Sequence, residues 1–171
     1  MRVAILTISD RSSRGERADL SGPLLTQRVE AQGWEVVQSG IVSDDAKEII
    51  DTLTAWADEG DVDLILTTGG TGFAPRDMAP EATRVVIQRE TPGLVEAMRA
   101  ASLKITPHAM LSRAAAGIRR QTLIINLPGS PRAADENLAV VLPVLPHAVE
   151  LLTDDPGAES GHHSIKSFPQ A

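Results

Sequence analysis

Cysteine and tyrosine are absent from this 171-residue chain, and its aromatic share is 2%, made up of two Trp and two Phe. Without cysteine there is no disulfide, no thiolate zinc site and no Cys nucleophile, which fits a reducing compartment. So few aromatic rings argue against a nucleic-acid reader built on stacked bases, and leave the core to aliphatic side chains. A net charge of −7 lacks the cationic surface that nucleic acid and anionic membranes require. No apolar run approaches the roughly 20 residues of a membrane span, and no signal-peptide core precedes the first apolar run. The expected protein is cytoplasmic, with neither nucleic acid nor membrane as a partner.

Lysine is scarce too, three against thirteen arginines. Arginine is the better fork for phosphate or carboxylate oxygens, and Arg11, Arg14 and Arg17 stand close together. Charged residues make up 23% and hydrophobic ones 42%, the balance of an ordinary globular domain. The length suits one domain, expected over residues 1–152, with a polar tail over 153–171 that lacks apolar periodicity and is expected to be disordered.

What the chain does have is an alternation. Apolar, β-branched runs at Val3–Ile8, Trp34–Val42, Val62–Thr67 and Thr122–Leu127 are separated by helical periodicities. That pattern predicts an α/β fold, a three-layer α/β/α arrangement on a mostly parallel sheet. Helices are expected over Gly22–Gln32, within Ser43–Gly60, and over Pro80–Gln88, Gly93–Leu103, Arg132–Leu142 and Pro146–Leu152. In the second of these, Asp45 and Glu48 are spaced as a capping box and Gly60 is the stop. Residues 106–121 are ambiguous; a strand over Ala109–Ala116 with a turn at Gly117 is preferred.

Chemistry concentrates where strands end. Thr67-Thr68-Gly69-Gly70-Thr71-Gly72 follows the third run and leads to Asp77 and then Pro80, which fits the first turn of a helix. Glycines that tolerate positive φ, threonine hydroxyls and free N–H groups make a phosphate cradle, and a nearby acid suggests a metal. Ser9-Asp10, Asp44-Asp45 and Asn126-Leu127-Pro128-Gly129-Ser130 follow the other strands and would share one rim with it if all are parallel. Plainer roles compete. Asp44 or Asp45 could cap a helix, Asp10 could brace the Ser12-Ser13 turn, Asp77 could cap the helix at Pro80, and Asn126 could bond to neighbouring backbone. No lysine follows Gly72 and no third glycine completes a dinucleotide fingerprint, so P-loop enzymes and dehydrogenases lose support. The histidines form no metal pattern, and there is no nucleophile elbow.

Taken in order, Ser9-Asp10, Asp44, the glycine loop with Asp77 and Pro80-Glu81-Ala82, Leu111-Ser112-Arg113 and Asn126 to Pro131 resemble the molybdenum-cofactor biosynthesis family that includes molybdopterin adenylyltransferases. The likeness covers roughly residues 2–152 and looks like the compact branch. It implies transfer of AMP from ATP to the phosphate of molybdopterin, with Mg²⁺ assisting, pyrophosphate released and a homotrimer or homohexamer as the assembly. Asp44 and Asp77 would be the catalytic acids and the Mg²⁺ ligands. Ser9, Asp10, Thr68, Gly69, Gly70, Thr71, Gly72, Pro80, Glu81, Ser112, Asn126, Pro128, Gly129 and Ser130 would bind substrate. Ala79 departs from the family's usual threonine and would remove a helix N-cap. The rival reading is a member that binds or carries molybdopterin without catalysis.

Overall fold

The computed structural model describes residues 1–153; the rest of the expected disordered tail lies outside the described residues. A six-stranded sheet runs in the order β2-β1-β3-β6-β5-β4. Strands β1 (Arg2–Ile8), β2 (Glu35–Val42), β3 (Leu64–Thr68) and β6 (Thr122–Leu127) are parallel, as the alternation predicts. Two short strands, β4 (Arg89–Glu90) and β5 (Ala116–Arg119), extend one edge, β5 lying antiparallel to both β4 and β6.

Pleating sends alternate residues to opposite faces, and the apolar strands feed two cores. On one face Val3, Ile5, Leu64, Leu66, Leu123 and Ile125 meet α2 (Ser21–Glu30), α5 (Pro92–Leu103), α6 (Pro131–Val141) and α7 (Leu145–Leu152). On the other, Ala4, Leu6, Ile65 and Ile124 meet α3 (Ala46–Glu59) and α4 (Ala79–Val86). The expected three-layer α/β/α arrangement is the one observed. A one-turn helix, α1 (Asp10–Ser13), follows β1 directly, too short for any periodicity to announce it. No described helix is long and apolar enough to cross a membrane.

The helix ends show why the elements stop where they do. Asp45 caps α3, its carboxylate accepting the N–H groups of Lys47 and Glu48 at 3.0 and 3.1 Å, and Gly60 ends it at φ +81°. Such a cap is worth about 1 kcal/mol. The expected capping box is not closed in the usual way: Glu48 turns to the N–H and hydroxyl of Ser43.

The strand preferred over Ala109–Ala116 is corrected. Pro107–Leu111 is a 3-10 helix, which Pro107 favours by fixing φ and Thr106 caps, and the strand is Ala116–Arg119. Gly117 lies inside that strand, not at a turn, paired with Glu90 on β4, and the position requires glycine because a Cβ there would come 2.6 Å from the Arg89 carbonyl oxygen. The turn falls instead at Arg120, which adopts φ +52° between β5 and β6.

Candidate active site

The four parallel strands end along one rim, and each delivers a segment singled out from the sequence. Between these segments lie two hollows. The larger, about 610 Å³, is lined by Ser9, Asp44, Thr68, Gly69, Gly70, Asp77, Gly129 and Ser130. The smaller, about 280 Å³ and more apolar, is lined by Thr71, Gly72, Ser112, Asn126 and Pro128 together with Met98, Ile105 and His108. Most of the expected site residues therefore divide between two lobes, with the run Gly69–Gly72 as the ridge between them.

The acids at the rim have distinct duties. With Asp45 occupied as the cap, Asp44 faces the cleft: its Oδ2 accepts the Asp10 N–H at 2.7 Å, while Asp10 Oδ1 accepts the Asp44 N–H at 3.0 Å. Burial pushes the Asp44 carboxyl above its ordinary value, and the charges of Asp10 and Asp77 push the same way, against the Asp10 N–H bond and Arg76. Asp10 is held below its ordinary value, first by Arg76, whose Nε and Nη2 meet both its oxygens at 2.6 and 2.8 Å. Asp10 does not brace the Ser12-Ser13 turn. Ser9 does, accepting the Ser12 N–H at 3.2 Å. Asp10 itself lines neither lobe and stands behind Asp44.

Asp77 caps no helix either. Its Oδ2 accepts the Ala74 N–H at 2.8 Å, and the N-cap of α4 is Met78, which has no oxygen to offer. Ala79 is the first residue inside α4 and fully buried, so the expectation that it removes an N-cap is corrected. Its N–H donates to the Gly70 carbonyl at 3.1 Å, tying the helix to the ridge.

Glycine serves the ridge in more than one way. Gly69 and Gly70 have φ of +103° and +61°, as a cradle needs, but Gly72 does not adopt positive φ. A Cβ on Gly72 would come 2.8 Å from Asp77 Oδ2, and one on Gly69 would collide with the Ile8 carbonyl oxygen. Gly129 in turn packs on Gly69, its virtual Cβ 3.1 Å from that Cα. The missing side chains let three strand ends crowd together, beyond any approach by a ligand.

Asn126 is fully buried and its amide is committed: Oδ1 accepts the Ala115 N–H at 3.1 Å, and Nδ2 donates to Thr67 and Thr83 at 2.9 and 2.8 Å. Thr68 donates to the Pro128 carbonyl at 2.7 Å, joining the ends of β3 and β6. Ser130 is the N-cap residue of α6, yet its hydroxyl makes no capping bond and lines the larger lobe. Pro80 and Glu81 line neither lobe; Glu81 pairs with Arg113.

The sequence pattern gives no duty to Arg76 or Asp19 and none by itself to Arg113. Arg76 ties the segment that carries Asp77 to Asp10, and Arg113 donates to the Asp77 carbonyl. Asp19 accepts the N–H groups of Ser21 and Gly22 and the Thr7 hydroxyl, shaping the wall where α2 starts. Of the three clustered arginines, Arg17 lines the larger lobe, whereas Arg14 pairs with Glu16. The position of Arg76 directly before Asp77 is the available signal.

Two carboxylates suit a hard cation. Among the described residues neither Asp44 nor Asp77 forms an ion pair, and no group of three or more His, Asp or Glu assembles. A Mg²⁺ held here would take its remaining ligands from substrate phosphates and water, which is that ion's usual habit.

A parallel sheet with its cleft outside the carboxyl ends of the strands is the layout of α/β proteins that bind small phosphorylated ligands. Comparison with known proteins narrows this class. Residues 4–147 match the family described as a "probable molybdopterin binding domain". The chain is 43% identical over 154 residues to a molybdopterin adenylyltransferase of Helicobacter pylori, covering 89% of this chain and 88% of that one. It is 46% identical over 164 residues to gephyrin of Dictyostelium discoideum, covering 90% of this chain but spanning 23% of that much longer protein. The crystal structure of the molybdopterin biosynthesis enzyme MoaB from Thermus thermophilus superimposes with a TM-score of 0.85 at 52% identity, covering 91% of this chain and 98% of that one. The chain belongs to the molybdenum-cofactor biosynthesis family.

Proposed function

We propose that this chain is a molybdopterin adenylyltransferase, moving AMP from ATP onto the phosphate of molybdopterin and releasing pyrophosphate. The observation that carries this reading is the pair Asp44 and Asp77, both lining the larger lobe of a two-lobed cleft, in a chain 43% identical to an enzyme of that name along nearly its whole length. Two substrates must meet, and the ridge Gly69–Gly72 is shared by both lobes.

Asp44 and Asp77 would hold Mg²⁺, which when bound would supply positive charge to the triphosphate and to the leaving pyrophosphate. The acidic lobe takes the triphosphate, with Arg17, Ser130 and the main chain of the ridge as donors to its oxygens. The more apolar lobe takes a ring system, with Ser112 and Thr71 at its polar edge. The attacking group is a phosphate monoester, already largely ionised near neutral pH, so the chain need supply no general base. Its task is to align the attacking oxygen, the α-phosphorus and the leaving oxygen.

The same reading makes the protein a cytoplasmic homotrimer or homohexamer, a state that analytical ultracentrifugation measures. Replacing Asp77 by Asn tests the chemistry. AMP transfer falls by at least about 100-fold with the far-UV circular dichroism unchanged; full turnover by this variant contradicts the role given to Asp77.

A further inference from the structure

The segment 73–77 carries Asp77 but belongs to no helix or strand. It closes on itself through the Asp77 N–H to Ala74 carbonyl bond and the Ala74 N–H to Asp77 carboxylate bond, at 2.9 and 2.8 Å. Among the described residues, its polar ties to the rest of the protein run through two arginines. Arg113 donates from Nε to the Gly72 carbonyl at 2.7 Å and from Nη2 to the Asp77 carbonyl, so one planar guanidinium spans both ends of the segment. Its remaining arm pairs with Glu81 on α4, and its own N–H donates to the Thr71 carbonyl at 3.0 Å. Arg76 reaches the opposite way and grips Asp10, whose carboxylate accepts the Asp44 N–H and whose own N–H donates to the Asp44 carboxylate. A continuous polar path thus runs from Asp44 through Asp10 and Arg76 to Asp77, and ends at Arg113.

We infer that Arg76 and Arg113 are positioning residues that set Asp77 in its working place relative to Asp44; this rests on the reading of the two acids as the metal-holding pair. The alternative is ordinary surface reinforcement, and for Arg76 exposure decides against it. The Arg76 side chain is 62% exposed, and pairs so placed add at most about 1 kcal/mol of stability. Geometry is a different matter. Mg²⁺ demands near-octahedral oxygen placement, and a loop free to wander by about 1 Å can cost on the order of 100-fold in rate. Only a planar fork reaches two carbonyls and a carboxylate at once, as Arg113 does, and a lysine has no such fork.

The test uses the full chain with Arg76→Gln and Arg113→Lys variants. Mn²⁺ binding in the presence of a non-hydrolysable ATP analogue, followed by electron paramagnetic resonance, weakens about tenfold in each. The kcat for AMP transfer falls about tenfold or more, while KM for molybdopterin stays within about twofold. Arg76→Gln shifts the unfolding midpoint by no more than about 3 °C, and Arg76→Lys recovers part of the lost metal affinity. Should Arg113→Lys fail to fold, Arg76→Gln decides alone. Wild-type Mn²⁺ affinity and kcat in the folded variants overturn the inference. A wild-type protein that neither binds Mn²⁺ nor transfers AMP overturns the proposed function and this inference with it, whereas an active wild type with unaffected variants overturns the inference alone.

Discussion

Asp10 and Asp44 hold each other through crossed bonds, each carboxylate accepting the other's main-chain N–H, at 3.0 and 2.7 Å. The arrangement brings two negative charges together at the ends of adjacent strands, and their titrations diverge. Asp10, gripped by Arg76, goes down; Asp44, half-buried beside the charges of Asp10 and Asp77, goes up.

The raised Asp44 carboxyl has a stability consequence with a definite sign. A carboxyl whose folded value lies above its unfolded one binds more protons when folded, so its contribution is present at low pH and lost as pH rises through the folded value. In metal-free buffer at neutral pH, Asp44→Asn therefore unfolds at a temperature equal to or about 1–3 °C above wild type. The difference disappears as the wild-type acid protonates. Thermal melts from pH 4 to pH 8 in EDTA check this, and AMP transfer by the same variant falls by about 100-fold or more.

Arg17 is a cation at the wall of the lobe that carries Asp44 and Asp77. A charge-assisted bond to an outer phosphate, weakened by solvent, makes Arg17→Ala raise KM for ATP about threefold to tenfold with little change in kcat. Steady-state kinetics at two salt concentrations measure it, and the effect shrinks at the higher one.

At Gly69 both φ and space forbid a side chain: φ is +103° and a Cβ would strike the Ile8 carbonyl oxygen. Gly69→Ala costs about 2–4 kcal/mol in urea unfolding. Gly93, where a Cβ would meet nothing within 4 Å, is the control, and its alanine variant is expected to be neutral or mildly stabilising.

Asn126 acts as a brace between β6, β3 and α4. Asn126→Ala leaves the Ala115 N–H and two buried threonine hydroxyls without partners and costs about 2–4 kcal/mol. Its kcat per folded molecule falls by less than that of Asp77→Asn; equal losses would make Asn126 a reacting group.

Legibility in the sequence follows the range of the interactions. The four parallel strands and the helices packed on them declare themselves through local periodicity, and the rim follows from their direction. Asp45 as a cap and Gly60 as a stop are equally local. Residues 107–119 mislead because an alanine-rich apolar run carries no decisive period, and the short edge pair β4–β5 is settled by tertiary contact. The same holds for Arg113, whose partners Gly72 and Asp77 lie 41 and 36 residues away. For Gly72 the pattern suggests positive φ; what demands a glycine there is the Asp77 carboxylate, a contact no pattern reveals.

The central claim is tested most directly by incubating the purified protein with molybdopterin and Mg·ATP and quantifying both products. Adenylylated molybdopterin and pyrophosphate should form in equal amounts, over many turnovers, and neither should form without the metal. Tight binding of molybdopterin with no pyrophosphate released would contradict the account and make the protein a carrier.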